Sequence, residues 1–276
     1  MRVEVASKAG ACYGVNRALE LALGSHDAPR PIHTLGPLIH NPIVVAELAA
    51  KGVDVAASLD EATSGSVVIR SHGTSPQVIE DAQARGLKVI DATCPFVSKV
   101  QRNALMLGQE GYGVVIIGEA GHAEVEGIRA WAGGSVIAVV DDERDLPDEL
   151  PAKVGVVVQT TQSEELYNSV VAAIEARGVE VKAMKTICSA TRERQRAASE
   201  LAARSDSMVV IGGRNSGNTR RLVDICSKSC PTHHIESVAE LERSWFAGVD
   251  RVGVTAGAST PQSHVDSVVA KLESWA

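Results

Sequence analysis

Three of the five cysteines occupy similar places in the sequence and could bind one metal centre together. Cys12, Cys94 and Cys188 each follow a segment predicted to be extended and precede a segment with helical spacing. Three thiolates around one point suit either a zinc ion with an open position or an iron–sulfur cluster with one iron free of protein ligands. A helix N-terminus beside each cysteine would stabilise the thiolate that a metal needs. The spacing alone leaves both metals open.

Cys226 and Cys230 form a separate pair late in the chain. The sequence has no counterpart of this pair near the other cysteines, and cysteine is often a small buried hydrophobic residue. We therefore predict packed thiols at these two positions.

The surroundings of Cys12, Cys94 and Cys188 repeat along the chain. Each cysteine is followed after 24 residues by a glycine at the end of a predicted strand, and after 28 residues by a polar residue in a predicted loop. The glycines are Gly36, Gly118 and Gly212, and the polar residues are His40, His122 and Ser216. Each unit continues with a strand, a loop rich in glycine, serine and threonine, and a helix, which indicates a threefold repeat.

The repeat predicts an α/β fold with three similar lobes and mainly parallel sheets, because short valine and isoleucine runs alternate with helical segments. We predict lobes at 13–94, 95–187 and 188–276. The third repeat lacks the final strand that the first two repeats have, so we expect residues 1–12 to complete its sheet. The lobes would then form a pseudo-threefold ring, with the carboxyl ends of the strands, where ligands bind, facing the centre.

Polar residues follow the predicted strands at the same ends as the cysteines. Histidine, serine and asparagine side chains, with the N–H groups of glycine-rich turns, suit a diphosphate or similar oxyanion. The candidates are His40, His72, His122, Ser216, Asn218 and Ser259. A lone histidine is more often a surface or core residue, so the prediction depends on their shared position.

Two further pairs could act on a bound substrate. Glu124 and Glu126 follow His122, and Glu124, predicted closer to the loop apex, is the better candidate for holding a transferable proton. Thr160 and Thr161 could anchor a substrate hydroxyl or cap the helix predicted to begin near Glu164.

Composition narrows the class of protein. The 276 residues are 45% hydrophobic and 22% charged, as in ordinary soluble domains. A net charge of −7 disfavours partners such as nucleic acid or an anionic membrane, although it allows a small anionic ligand. The N-terminus lacks the apolar core of a signal peptide, and no apolar run is long enough for a membrane span. We therefore expect a cytoplasmic protein with reduced cysteines.

Nine segments spread over nearly the whole chain make the sequence resemble the 4-hydroxy-3-methylbut-2-enyl diphosphate reductase family. They are GACYGVNRAL, HTLGPLIHNPIVV, RSHGTSP, VIDATCPFVSKVQ, GHAEVEGIRAW, VVQTTQS, TICSATRERQ, GGRNSGNTRRL and VGVTAGASTP. The resemblance implies an iron–sulfur oxidoreductase of non-mevalonate isoprenoid synthesis. Its reaction is the reductive dehydroxylation of (E)-4-hydroxy-3-methylbut-2-enyl diphosphate to isopentenyl and dimethylallyl diphosphates.

The resemblance also implies roles for individual residues. It implies one 4Fe–4S cluster per chain at the centre of the ring, with one iron lacking a protein ligand. The implied ligands are Cys12, Cys94 and Cys188. The implied diphosphate-binding residues are His40, His72, His122, Ser216, Asn218 and Ser259, with Gly217 where the family often has a second serine. Glu124 matches the proton-delivering glutamate, and either Thr160 or Thr161 matches the threonine that touches the substrate.

The family implies a ferredoxin- or flavodoxin-type electron donor. The residues by themselves leave two other functions open. One is a Cys₃ zinc hydrolase of a phosphorylated metabolite, and the other is an iron–sulfur sensor or carrier without catalysis.

Overall fold

The computed structural model describes residues 1–25 and 27–275, and this part of the chain contains three four-stranded sheets. Every pair of neighbouring strands is parallel, which confirms the predicted α/β class. The strands are β1 (Arg2–Val5), β2 (Ile32–Leu35), β3 (Val53–Ala56), β4 (Ser66–Ile69), β5 (Lys88–Asp91), β6 (Gly113–Ile117), β7 (Val136–Val140), β8 (Lys153–Val158), β9 (Glu180–Met184), β10 (Ser207–Ile211), β11 (Thr232–Ile235) and β12 (Arg251–Ala256). The α-helices are α1 (Tyr13–Leu23), α2 (Pro42–Ala50), α3 (Pro76–Ala84), α4 (Pro95–Gln109), α5 (Ala123–Ala132), α6 (Glu164–Glu175), α7 (Ser189–Ala202), α8 (Gly217–Ser227) and α9 (Gln262–Glu273).

The three sheets share one strand order. The orders are β3-β2-β4-β5, β7-β6-β8-β9 and β11-β10-β12-β1. β1 pairs with β12 from Arg2 opposite Arg251 to Val5 opposite Val254. The N-terminal strand therefore takes the place in the third sheet that β5 and β9 take in the first two.

The described chain divides into two compact units. Unit I comprises Met1–Asn16, His40–Val44 and the described residues from Ser189 onward, and it contains the third sheet. Unit II comprises the described residues of Arg17–Ile39 and Val45–Cys188, and it contains the other two sheets. The lobe boundaries at 13–94, 95–187 and 188–276 and the pseudo-threefold ring stay predictions.

The central strands form the core because they are apolar on both faces. All residues of β4 and β10 are buried, whereas only Ile235 is buried in the edge strand β11. Parallel sheets require this two-sided burial, since helices cover both faces. Within the described residues, no helix combines the length and apolarity needed to cross a membrane.

Sequence reasoning missed the same two elements in every lobe, a short helix and the edge strand after it. These elements are α2 with β3, α5 with β7, and α8 with β11. The prediction that Glu124, Gly217 and Asn218 lie in loops is therefore wrong, because all three lie in the first turns of helices. Glu124 lies in the first turn of α5, and Gly217 and Asn218 open α8. Each missed helix follows a loop that begins at the glycine after a strand, so its first residues look like a continuation of that loop.

The glycines predicted at strand ends follow their strands directly and allow the next helix to approach. A Cβ atom on Gly118 would lie 2.7 Å from Val125 Cγ2 of α5. A Cβ atom on Gly212 would lie 2.7 Å from Thr219 Oγ1 of α8. These contacts are too short for a real side chain, so glycine lets the first turn of each helix sit against the strand end.

Candidate active site

Each of the three candidate cysteines lies at the start of a helix and is held in the same way. All three are partly exposed and form no disulfide within the described chain. The backbone N–H of each cysteine donates to a carbonyl that lies two residues after the end of a strand. These strands are β12 for Cys12, β4 for Cys94 and β8 for Cys188. The pairs are Cys12 to Ala258 at 3.1 Å, Cys94 to Ser71 at 3.0 Å and Cys188 to Thr160 at 3.2 Å. The three cysteines are therefore equivalent at the level of single hydrogen bonds.

The other two cysteines lie in α8 and just after it. Cys226 has no exposed surface and packs in an apolar cluster with Leu201 and Leu222. Burial, with a smaller contribution from Cys230, raises the pKa of Cys226 to about 12. Burial also raises the pKa of Cys230. Both thiols therefore stay protonated at neutral pH, as expected of packed residues rather than metal ligands.

In unit II, Glu124 and Thr160 form a buried pair. The Thr160 N–H donates to Glu124 Oε1 at 2.7 Å, and the Thr160 hydroxyl donates to Oε2 at 2.9 Å. Glu124 is 2% exposed and Thr160 is 5% exposed. Since the Thr160 carbonyl accepts from the Cys188 N–H, one threonine connects the carboxyl group to the backbone of a candidate cysteine.

The environment of Glu124 favours its protonated form. Burial raises the pKa of Glu124 to about 7, although the two hydrogen bonds from Thr160 oppose this change. Desolvation disfavours a charged carboxylate, and here it outweighs the hydrogen bonds that stabilise the charge. A carboxyl group with this pKa can hold and release a proton near neutral pH.

Glu126 lies one half-turn further along α5 and differs from Glu124 in its exposure. Its side chain is exposed, and its Oε1 accepts from the Gly121 N–H at 3.2 Å. The choice between the two glutamates follows from the helical period, which turns Glu124 inward and Glu126 outward.

His72 and His122 lie near each other in unit II. Their ring centroids are 5.5 Å apart in an edge-to-face arrangement, and both residues are partly exposed. His122 is the N-cap of α5, and its Nδ1 accepts from the Glu124 N–H at 3.1 Å. When neutral, the His122 ring therefore carries its proton on Nε2, which can donate to an anion.

Two neighbours of Thr160 complete this part of unit II. Thr161 is partly exposed. Gln159 is fully buried, and its Oε1 accepts from the Glu119 N–H at 3.0 Å. Within the described residues, Gln159 Nε2 has no hydrogen-bond partner. A buried donor of this kind usually has a partner, so Gln159 Nε2 is suited to donate a hydrogen bond to a bound ligand or water.

In unit I, the first turn of α8 presents polar groups at the end of β10. Ser216 is the N-cap and accepts from the Thr219 N–H at 3.3 Å. Asn218 is 4% exposed, and within the described chain neither its Nδ2 nor its Oδ1 has a partner. The Gly217 N–H lies in the same turn, where backbone donors lack intrahelical acceptors. Such a turn is suited to binding an anion.

His40 and Ser259 lie on neighbouring segments of unit I. Asn41 Nδ2 donates to the Ser259 carbonyl at 2.9 Å, and Asn41 Oδ1 accepts from the Ile43 N–H at 3.1 Å. The His40 carbonyl lies so close to Gly213 that a Cβ there would be 2.5 Å from it. The loop carrying His40 is therefore held against the strand ends that carry Ser216 and Ser259.

Two positioning residues were missed by sequence reasoning. Asn41 caps α2 and holds the Ser259 carbonyl, and its place before Pro42 is a recognisable N-cap signal. Arg194 is 4% exposed and donates from Nη2 to the Gly10 carbonyl at 2.8 Å, two residues before Cys12. No sequence signal separates Arg194 from the exposed charged residues around it in α7.

The predicted site residues therefore fall into two sets. Unit I holds His40, Ser216, Gly217, Asn218 and Ser259 with Cys12. Unit II holds His72, His122, Glu124, Thr160 and Thr161 with Cys94 and Cys188. Each set combines thiols at helix starts with donors suited to an oxyanion, and unit II adds a carboxyl group that can carry a proton.

Comparison with known proteins connects this chemistry to one family. The model of the LytB protein family matches residues 3–273. The 4-hydroxy-3-methylbut-2-enyl diphosphate reductase of Pelobacter propionicus is 46% identical over 275 residues, covering 99% of this chain and 98% of that protein. The Geobacter sulfurreducens protein of the same name is 46% identical over 276 residues, covering 100% of this chain and 98% of its own.

Two solved structures are also similar. One is an (E)-4-hydroxy-3-methyl-but-2-enyl diphosphate reductase, described as the terminal enzyme of the non-mevalonate pathway; it is 43% identical, has a TM-score of 0.73 and covers 99% of both chains. The other is the E-1-hydroxy-2-methyl-but-2-enyl-4-diphosphate reductase of Plasmodium falciparum. It is 28% identical, has a TM-score of 0.93 and covers 98% of this chain and 87% of its own.

Proposed function

This chain belongs to the LytB protein family, and we propose that it reduces (E)-4-hydroxy-3-methylbut-2-enyl diphosphate to isopentenyl and dimethylallyl diphosphates. The allylic hydroxyl leaves as water while two electrons and two protons enter. One proton goes to the leaving oxygen and the other to carbon. The identity of relatives over nearly their full length supports this activity.

We infer that Cys12, Cys94 and Cys188 would together hold one 4Fe–4S cluster, the cofactor that the family resemblance implies. Three equivalent, partly exposed thiols at helix starts match the chemistry of such a donor set. A bound cluster would supply electrons one at a time, and three cysteine ligands would leave one of its four irons without a protein ligand. The packed thiol of Cys226 does not fit this role, because its pKa is raised to about 12.

The substrate diphosphate is held by the polar residues at the strand ends. In unit I, Asn218 is the residue that most directly supports binding of the diphosphate. Its buried amide has no hydrogen-bond partner in the described chain, and a buried amide usually needs one. Ser216, the Gly217 N–H and Ser259 supply further groups there, with His40 beside them. In unit II, His122 Nε2–H and the neighbouring His72 add donors that become cationic when protonated.

Glu124 supplies the proton that converts the leaving hydroxyl to water. Its pKa of about 7 keeps a proton available at neutral pH, and burial shields that proton from bulk solvent. When Oε2 carries the proton, it donates to the Thr160 hydroxyl, 2.9 Å away, and that hydroxyl can in turn donate to the substrate oxygen. Thr160 is accordingly our choice over Thr161 for the substrate-touching threonine.

The buried Glu124–Thr160 pair is the single observation that favours a reductive dehydroxylase over a sensor, because a carrier needs no protected proton donor. The test is anaerobic purification followed by iron analysis, electron paramagnetic resonance and product analysis. We expect brown protein with about four irons per chain, a spectrum that changes on adding the hydroxylated diphosphate, and both isoprenoid products with a chemical reductant.

Other outcomes would identify the rival functions. Colourless, zinc-loaded protein would support a zinc hydrolase. A cluster whose spectrum ignores the diphosphate, with no product formed, would support a sensor or carrier.

A further inference from the structure

We propose that one exposed face of α4 is the docking surface for an acidic electron-donor protein. This face, here called the α4 stripe, consists of Phe96, Lys99 and Arg102. The inference rests on the proposed function, because that reaction consumes two electrons. Two one-electron transfers per turnover oxidise two reduced donor molecules, and each donor must bind briefly and leave.

The α4 stripe is a continuous surface. Its three residues are spaced by three positions along the helix, so their side chains are neighbours on one face. All three are exposed, and Phe96 is 39% exposed. An exposed aromatic ring beside two cations is typical of a protein contact site, where aromatic residues and arginine are enriched.

The charge of the α4 stripe opposes that of the whole chain. The chain carries a net charge of −7, yet α4 contains Lys99 and Arg102 and no aspartate or glutamate. Neither cation has an ion-pair partner in the described part of the chain. These charges are therefore available to an acidic partner, and complementary charge speeds association and orients the encounter.

The neighbourhood of the α4 stripe adds shape and a third cation. Arg102 lines a cavity of about 220 Å³ with Trp131 and Asp91, which can receive one partner side chain. Asp91 is the acidic member of this lining, and its Oδ1 accepts from the Thr93 N–H at 2.9 Å. Arg17 Nη1 donates to the Thr93 carbonyl at 3.1 Å, so its positive charge lies beside the same segment.

The position of the α4 stripe suits electron delivery. Phe96 is two residues from Cys94, and the Ser98 N–H donates to the Cys94 carbonyl at 3.0 Å. A donor bound on the stripe would therefore lie beside a proposed cluster ligand. Electron transfer slows steeply with distance, so a docking surface at a ligand is favourable. The small size of the stripe also fits a redox encounter, since such interfaces are at the small end of protein contacts.

The test uses the cluster-loaded enzyme and an acidic flavodoxin as the probe. The variant is Lys99→Glu with Arg102→Glu, and the control is Lys51→Glu with Lys228→Glu, two exposed lysines elsewhere that give the same change in net charge. Stopped-flow spectroscopy measures cluster reduction by reduced flavodoxin at several salt concentrations. Calorimetry measures the Kd of flavodoxin binding, a readout independent of turnover.

We expect the α4 variant to lose at least about 10-fold in the second-order reduction rate at low salt and to bind flavodoxin correspondingly more weakly. The control should stay within about 2-fold of the wild type for both measurements, because it changes only the net charge and leaves the α4 stripe intact. Phe96→Ala should weaken binding without changing its salt dependence. Turnover driven by methyl viologen, which needs no protein docking, should be unaffected.

Equal losses in the α4 variant and the control would overturn the proposal. The proposal would also be overturned if the α4 stripe joined two copies of this chain. In that case the wild type would be a dimer, the α4 variant would be a monomer, and flavodoxin binding would be unchanged. If the wild type forms no product with methyl viologen, the proposed function fails; the Kd comparison still decides whether the stripe binds the acidic protein.

Discussion

Cys94 and Cys226 carry the same thiol in opposite surroundings. Cys94 is partly exposed, directly precedes α4, and its N–H donates to the Ser71 carbonyl at 3.0 Å. Cys226 lies within α8, has no exposed surface, and packs against Leu201 and Leu222. Burial raises the pKa of Cys226 to about 12, so this thiol stays protonated at neutral pH.

The groups that surround these two kinds of cysteine differ in a similar way. At the strand ends, Glu124 and Asn218 are buried in ways that are costly for a protein without a ligand, through a raised carboxyl pKa and an unpartnered amide. Around Cys226, apolar side chains remove that cost. The strand ends therefore carry features that suit a ligand, whereas the apolar cluster around Cys226 carries features of stable packing.

The largest effect should come from replacing one of the three partly exposed cysteines at helix starts. Cys94→Ser should lose most of the iron and more than about 100-fold in turnover, since even outer partners of a metal site contribute about 10–100-fold. Iron and sulfide analysis with an activity assay checks this. Cys230→Ser is the matched control and should keep its iron and its turnover. Comparable iron loss in the two variants would contradict the distinction between cluster ligands and packed thiols.

Glu124→Gln should lower kcat by about 10²–10⁴-fold, the usual contribution of a positioned proton donor. The cluster spectrum and the binding of the diphosphate should be retained, because glutamine has nearly the same shape. Glu126→Gln, in the same helix but exposed, provides the control and should have near-normal kcat. Turnover of Glu124→Gln within a few-fold of the wild type would remove this carboxyl group from the mechanism.

Asn218→Ala separates ligand binding from stability. We expect kcat/KM to fall by about 10–100-fold, since a hydrogen bond to a charged group contributes about 1.5–3 kcal/mol. The free energy of unfolding should change by less than about 1 kcal/mol, because the amide makes no hydrogen bond in the described chain and alanine favours helix. Steady-state kinetics and denaturant unfolding measure the two quantities. A large loss of stability with unchanged kinetics would assign Asn218 to packing.

The buried carboxyl should also make stability depend on pH. Between about pH 4.5 and 7, the folded state keeps a proton on Glu124 that the unfolded state has released. The folded state then binds more protons, so the free energy of unfolding falls as pH rises through this window, by up to about 3 kcal/mol. Glu124→Gln lacks this group. Its stability relative to the wild type should therefore increase from pH 5 to pH 8 in parallel denaturant titrations, and a constant difference would contradict the raised pKa.

The smallest effect should come from Cys226→Ser. A buried hydroxyl in an apolar cluster lacks a good partner, so we expect a loss of about 1–3 kcal/mol in the free energy of unfolding. Iron content and kcat should be unchanged at a temperature where the variant is folded. Iron loss from the folded variant would show that the two groups of cysteines are coupled.

Much of the fold could be predicted because the repeat is visible in the residues themselves. Gly36, Gly118 and Gly212 follow strands as predicted, and helix α6 begins at Glu164. The missed segments are equivalent beside all three sheets, since α2, α5 and α8 each follow a loop that begins at the glycine after a strand. The edge strand β11 pairs on one side only, and its sequence THHI shows little hydrophobic pattern, whereas the missed edge strand β7 has the apolar sequence VIAVV.

The sequence by itself determined which residue types are available, their threefold spacing and the resemblance to one family. Residue identity and spacing are local properties, and strand and helix periods can be read from them directly. Only the tertiary structure decided that the Glu124 carboxyl group accepts two hydrogen bonds from Thr160, that Arg194 holds the Gly10 carbonyl, and that the amide of Asn218 is buried. Burial and pKa depend on atoms brought together from distant parts of the chain, so they follow from packing and not from the order of residues.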